Sequence, residues 1–485
     1  MADKQESKIL LKLLVDEKKD HVVAAEAKVD FMDILVSLLT LPLGTIIRLI
    51  KAEAGVVGCM NNLYQSVENL SEEDLFIEQC KTMLLNPRNP YPKYCMRLKM
   101  HVDDSVFEKY YECSNCSKHS YFMNVVCSCE GKFTKEKFLK DSAVNTVGDE
   151  YVFLKGGISF LTTDDLQVKC ASPSSLVQIL SSVGLSDMKQ VEEMHVEVGK
   201  NEVIHLLARS FISKTPLSDV FLPKQKQKRA RVDTITMSEF GNLLPISEIG
   251  ASNNAKKLEL KLTLRKSTNK VLCAEAGNEF VDFLFNFLTI PLGSIEDALK
   301  GSSGLECIDN FYKSVEILDS KWFNTPPKRN SYISEENLND NLKTMLLKPG
   351  IAPHHKSEYQ LLQISEGKSE IYNLYDPRYY DFVRNSYRHK FQKFAKEPSL
   401  FYVMDNLEVR PLSSTSTICL LQELNVPMND IEEQMISFGE SEALSLLKAS
   451  LTSSSSALTE GLNHNLKKQI DEDVKCNLKK LPRAG

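Results

Sequence analysis

Four cysteines carry the sharpest chemistry in this chain. Cys113 and Cys116 have two residues between them, and Cys127 and Cys129 follow with a single residue between them. Two close cysteine pairs can place four thiolates around one tetrahedral Zn²⁺, with Zn–S bonds of about 2.3 Å. Ser114, Asn115 and Ser128 are small polar residues suited to the tight turns such a knuckle needs. The second pair is one residue tighter than the C-x-x-C spacing of most zinc knuckles, and His119 is an alternative ligand. Unligated thiols and a redox pair are the competing readings. A shell filled by four thiolates leaves no open position for water, so the zinc it holds is structural rather than catalytic.

Other residue types here have plainer roles open to them. Glu26 and Glu275 each lie between alanines and could face a pocket, but a carboxylate paired with a nearby lysine explains them as well, and no partner acid or base can be placed beside either. Asp33 and Asp282 read as first-turn acids meeting a helix dipole. The basic run Lys224–Arg231 reads as a solvated linker or a nuclear import signal. His354-His355 follows Pro353 and is expected in a surface loop, and Ser453–Ser456 reads as a polar loop. The chain has no phosphate-binding G-x-x-x-x-G-K-[ST], no G-x-G-x-x-G, no G-x-S-x-G elbow and no H-E-x-x-H.

The elements that position these residues occur twice. Ala25-Glu26-Ala27, Phe31, Asp33, Leu35, Leu39-Thr40 and Pro42-Leu43-Gly44 return at the same spacings as Ala274-Glu275-Ala276, Phe280, Asp282, Leu284, Leu288-Thr289 and Pro291-Leu292-Gly293. Lys81–Leu85, Asp164–Val168 and Gly199–Leu207 return as Lys343–Leu347, Asp405–Val409 and Gly439–Leu447. The period is too long for a solenoid. It predicts two homologous α+β domains in tandem: residues 1–222, which carry the cysteine cluster; a polar basic linker, 223–256; residues 257–462; and a mobile tail, 463–485.

Each copy should open with a β-hairpin, Leu10–Val15 with His21–Ala27 and Leu258–Leu264 with Lys270–Ala276. A helix follows, because Phe31, Ile34, Leu35, Leu38 and Leu39 form one apolar stripe at helical spacing. Asp30 or Asn278 is expected to cap its start. Pro42 breaks that helix and opens another. A strand is expected at Tyr94–Val102, and helices at Met60–Val67, Ser174–Val183 and Glu202–Phe211. The stretch between Thr344 and Asp405 is shorter than its counterpart and has no cysteine, so the zinc knuckle is an excursion of the first copy alone.

Composition is that of a globular protein, 42% hydrophobic and 26% charged, with a net charge of −6 that disfavours nucleic acid. The apolar stretch Phe31–Ile50 contains Asp33, Pro42 and Arg48, which argues against a membrane span. Met1–Lys8 is polar, without the apolar region of a signal peptide, and the remaining eight of the 12 cysteines are scattered singly as core thiols. A reducing, cytoplasmic compartment is expected, with nuclear entry if the basic run is read by import factors.

The repeated hairpin, then A-E-A, F-x-D-x-L and L-T-x-P-L-G, with the matching segments above, resembles the plant family known as domain of unknown function 674. The resemblance spans nearly the whole chain. It implies a soluble plant protein and supplies no catalytic residue, substrate or cofactor. Duplication without a catalytic signature points to a non-enzymatic interaction or adaptor module that offers two similar surfaces to protein partners. The alternatives are an enzyme of unrecognised type with a pocket carboxylate at Glu26 or Glu275, and a nuclear or nucleic-acid-associated factor.

Overall fold

The computed structural model describes residues 7–51, 56–103, 109–139, 151–185, 188–222, 257–325, 342–369, 371–378, 392–397, 399–413, 422–423 and 425–466. The basic run Lys224–Arg231 and the tail beyond 466 lie outside them.

The fold mixes helices with antiparallel sheets. In the first half, β1 (Ile9–Asp16) and β2 (His21–Lys28) are followed by α1 (Val29–Ser37), α2 (Leu43–Ile50), α3 (Met60–Asn69), α4 (Glu78–Leu85) and α5 (Pro92–Met96). The small sheet of β3 (Lys109–Cys113), β4 (His119–Ser120) and β5 (Phe133–Phe138) comes next. Then follow β6 (Ser159–Thr163), β7 (Val168–Cys170), α6 (Pro173–Ser182), β8 (Val191–Val198), α7 (Lys200–Ser210) and α8 (Pro216–Phe221). The second half runs β9 (Leu258–Arg265), β10 (Lys270–Gly277), α9 (Asn278–Thr289), α10 (Leu292–Ala298), α11 (Glu306–Ile317), α12 (Leu342–Leu347), β11 (Leu400–Met404), β12 (Val409–Pro411), β13 (Ile431–Phe438), α13 (Glu440–Thr452) and α14 (Ala457–Gly461).

Two five-stranded sheets share one topology, β7-β6-β2-β1-β8 and β12-β11-β10-β9-β13. Their hairpins share even a bulge: Leu14 pairs Ala24 and Val15 pairs Val22, leaving Val23 over, while Thr263 pairs Cys273 and Leu264 pairs Val271, leaving Leu272 over. Leu11, Leu13, Ala25 and Ala27 face the main core, as do Leu260, Leu262, Ala274 and Ala276. The bulge turns Val23 and Ala24 together onto the opposite face, where Leu14, Leu161, Ile179 and Leu180 form a small second core under α6.

Helices of each half complete the other half's sheet, and one apolar core contains residues of both. The Ser66 hydroxyl on α3 accepts the amide hydrogen of Val409 on β12, and Ser314 on α11 accepts that of Val168 on β7. At the centre the two L-T-x-P-L-G segments pair with each other: the Leu43 amide donates to Ile290 O and the Leu292 amide to Leu41 O, both at 3.0 Å. Glycine is required there. A Cβ on Gly44 would meet Leu84 O at 2.8 Å, and one on Gly293 would meet Leu346 O at 2.5 Å.

Asp33 and Asp282 have a different role from the one expected. Helices α1 and α9 begin after Lys28 and Gly277 with no side-chain cap, so neither aspartate lies in the first turn and neither Asp30 nor Asn278 caps. Both acids are buried. Asp33 accepts the amides of Val152, Phe153 and Leu154; Asp282 accepts those of Phe394 and Ala395. Each segment so held pairs with the opposite half. The Lys155 amide donates to Trp322 O and the Asn324 amide to Phe153 O, while the Phe76 amide donates to Phe394 O and the Lys396 amide to Asp74 O. An orphaned buried amide costs about 1–3 kcal/mol, so each carboxylate satisfies donors that no strand partner reaches.

Tyr94–Val102, expected as a strand, is not one. Pro92 opens the short helix α5 instead, its missing N–H costing nothing in a first turn. His355 is buried rather than in a surface loop, with Nδ1 3.0 Å from Pro353 O. Ser453–Ser456 is the loop expected, between α13 and α14, and its Ser453 and Ser456 hydroxyls both donate to Glu460 of α14.

Candidate metal centre

The three-stranded sheet β4-β3-β5 presents the cysteines. Cys113 ends β3, Cys116 lies in the turn before β4, and Cys127 and Cys129 lie in the loop before β5. The Cys113 amide donates to Lys118 O at 3.0 Å, closing the first turn, and the Cys127 amide donates to Gly131 O at 2.7 Å, closing the second. Glu130 adopts a φ of 65° in that turn. A Cβ on Gly131 would meet Cys113 Sγ at 2.8 Å, so only glycine lets the two turns close on each other.

All four sulfurs lie within 4.8 Å of one another. Cys113 Sγ is 3.4 Å from Cys129 Sγ, and Cys116 Sγ is 3.7 Å from Cys127 Sγ. Four sulfurs about 2.3 Å from one tetrahedral ion would stand about 3.8 Å apart, so the set has the size of a zinc-thiolate shell. The separations are too long for disulfides. The donor chemistry suits a soft, tetrahedral cation. Burial pushes the Cys116 thiol up to about 12, whereas the Gly131 amide draws the exposed Cys129 thiol down to about 7. His119, the alternative ligand, is not in the cluster. Its Nδ1 is 3.0 Å from Tyr372 O and its ring stands edge-on to Tyr110.

The knuckle rests on the second half. The His119 amide donates to Asn373 O at 3.0 Å, and the Tyr375 amide donates to His119 O at 2.7 Å. Tyr375 stacks on Phe133 with ring centroids 5.4 Å apart, and Lys118 Nζ lies 5.3 Å from its ring centre. Cys113, Cys127, Phe133 and Tyr375 form a small apolar cluster of their own.

Glu26 and Glu275 occupy matched positions on the outer faces of their sheets, 40% and 36% exposed at the side chain. Lys12 lies 3.5 Å from Glu26 and 2.8 Å from Glu193; Lys261 lies 3.4 Å from Glu275 and 3.0 Å from Glu433. Neither glutamate lines the cleft at Arg88, Tyr121 and Lys368 or the apolar one at Leu35, Leu38 and Phe311. Sequence reasoning missed Tyr375 as part of the cysteine cluster's surroundings, since nothing in its local pattern links it to residues of the other half. No helix among the described residues is long and apolar enough to cross a membrane.

The family model described as "Protein of unknown function (DUF674)" matches residues 5–441. No curated protein and no solved structure matches the chain.

Proposed function

We propose that this chain, which belongs to the DUF674 family of proteins of unknown function, is a non-enzymatic interaction module built by tandem duplication and stapled by one structural zinc ion at Cys113, Cys116, Cys127 and Cys129. One observation carries the reading. The outer faces of two sheets of identical strand order present the same Glu–Lys–Glu cluster, Glu26–Lys12–Glu193 and Glu275–Lys261–Glu433. Two matched surfaces fixed in one body favour a partner that offers two matched sites, because the second contact forms at high effective concentration.

A four-thiolate shell supports structure over catalysis. The alternative of a pocket carboxylate gains no support from Glu26 and Glu275, each ion-paired on an outer face. We place the protein in the cytoplasm of a plant cell, where reduced thiols remain available for zinc.

The test is affinity purification of the intact chain beside a Lys12→Glu/Lys261→Glu variant, followed by intact-complex mass spectrometry. The reading expects a stoichiometric protein partner that the variant loses while its zinc and its melting temperature are kept. A preparation that retains a small molecule and no protein contradicts it.

A further inference from the structure

We infer that the metal centre is the joint between the knuckle and the second half: metal binding and the docking of residues 372–375 are one coupled equilibrium, with Tyr375 as a positioning residue for the metal ligands. The inference rests on the zinc reading above and adds what that zinc governs.

Three contacts tie the two sides together within a few residues. The backbone of His119 exchanges hydrogen bonds with Asn373 and Tyr375. The Tyr375 ring packs on Phe133 in the same apolar cluster as the ligands Cys113 and Cys127. Lys118 faces the Tyr375 ring and also donates to Ser128, between the second pair of cysteines. The surface that Tyr375 covers is therefore made of both cysteine turns. Without metal no bond ties the four sulfurs to a common centre, so the two turns can part and the platform for Tyr375 is lost.

The other side of the joint is fixed. Asp376 pairs with the buried Arg378 at 2.9 Å, and Arg378 donates to the carbonyls of His354 and Lys356. The Arg378 guanidinium also lies 5.0 Å from the ring centre of Phe394, whose amide Asp282 holds. Residues 376–378 are thus anchored in the second half whatever the knuckle does. The part that metal controls is the attachment of the knuckle to that anchor. Another junction of the first half, Val152–Lys155 with Trp322–Asn324, contains no metal-ligating group and serves as an internal control.

Coupling between two events is reciprocal. If metal favours docking, docking must favour metal by the same factor. Hydrogen exchange of the full-length chain, with zinc and after chelation, reads the first direction. Amides in residues 372–375 and 118–120 should exchange at least about tenfold faster without metal, while those in 152–155 stay unchanged. Competition with a chromogenic chelator reads the second. Tyr375→Ala should bind zinc about tenfold more weakly, a loss typical of removing an outer-shell partner, and Tyr375→Phe should bind it as the natural chain does. A chain that holds no zinc overturns the zinc reading and the joint with it. A chain that holds zinc, yet shows the same exchange at 372–375 with and without it and the same affinity in Tyr375→Ala, overturns the joint alone.

Discussion

The Ser66 hydroxyl, on a helix of the first half, accepts the amide hydrogen of Val409, on a strand of the second, at 2.9 Å. Ser314 does the same for Val168 in the opposite direction at 3.0 Å. Each half therefore lends its middle helices to its neighbour's sheet. Isolated residues 8–222 would expose the side of β7 that α11 covers and the apolar side of α3. Size-exclusion chromatography should show that fragment aggregated or self-associated, and co-expression with residues 257–466 should recover a one-to-one complex.

Asp282 should reveal itself in the pH dependence of stability. Burial pushes its carboxyl up to about 7, against the pull of the Phe394 and Ala395 amides. The folded chain then binds its proton more tightly than the unfolded chain does, so the stabilisation is complete below about pH 3.8 and is lost as pH rises through about 7. Asp33, Asp164 and Asp405, each pushed by burial to about 6, act in the same direction. Asp376, held low by Arg378 despite its burial, acts in the opposite one. Denaturant titrations between pH 4.5 and 8 should show Asp282→Asn with a flatter pH profile than the natural chain.

Among the described residues of the second half, Glu296 is an acid that burial penalises. It is fully buried and neither carboxyl oxygen makes a well-formed hydrogen bond, although Ser303 and Asp309 lie near. Burial first, and the nearby Asp309 charge next, push it well above the ordinary glutamate range. Ile47 occupies the matched place in the first half and is equally buried. Glu296→Ile should stabilise the protein by about 1–3 kcal/mol at neutral pH, the usual cost of burying a polar group without a partner, with a smaller gain near pH 4. Paired urea denaturations at the two pH values check both parts.

The hairpins and first helices were legible because their period-two and 3.6-residue patterns are long and the sequence states them twice. The cysteine cluster was legible because ligand spacing is local. The exchange was not: an apolar stripe such as that of α3 says that a face is buried, never against which sheet. Strands β8 and β13 escaped notice because they are edge strands, where Glu192, Glu193, Glu432 and Glu433 face solvent and blur the alternation. Asp33 and Asp282 sit close enough to a helix start to resemble dipole partners, and the amides they bind lie more than a hundred residues away.

Gly131→Ala tests the closure of the knuckle. The added Cβ would stand 2.8 Å from Cys113 Sγ, so the thiol must move off the site or the turn must open. Zinc affinity should fall about 10–100-fold, as for a disturbed ligand environment. The control Gly157→Ala is at an open position with nothing near its Cβ, and although its φ of 84° carries a backbone cost, zinc affinity should hold.

The most direct measurement is metal analysis of the full-length chain purified without added zinc, beside Cys113→Ser/Cys116→Ser. The account predicts about one zinc per chain, absent from the double variant. A natural chain without metal, or metal that persists in the double variant, would contradict it.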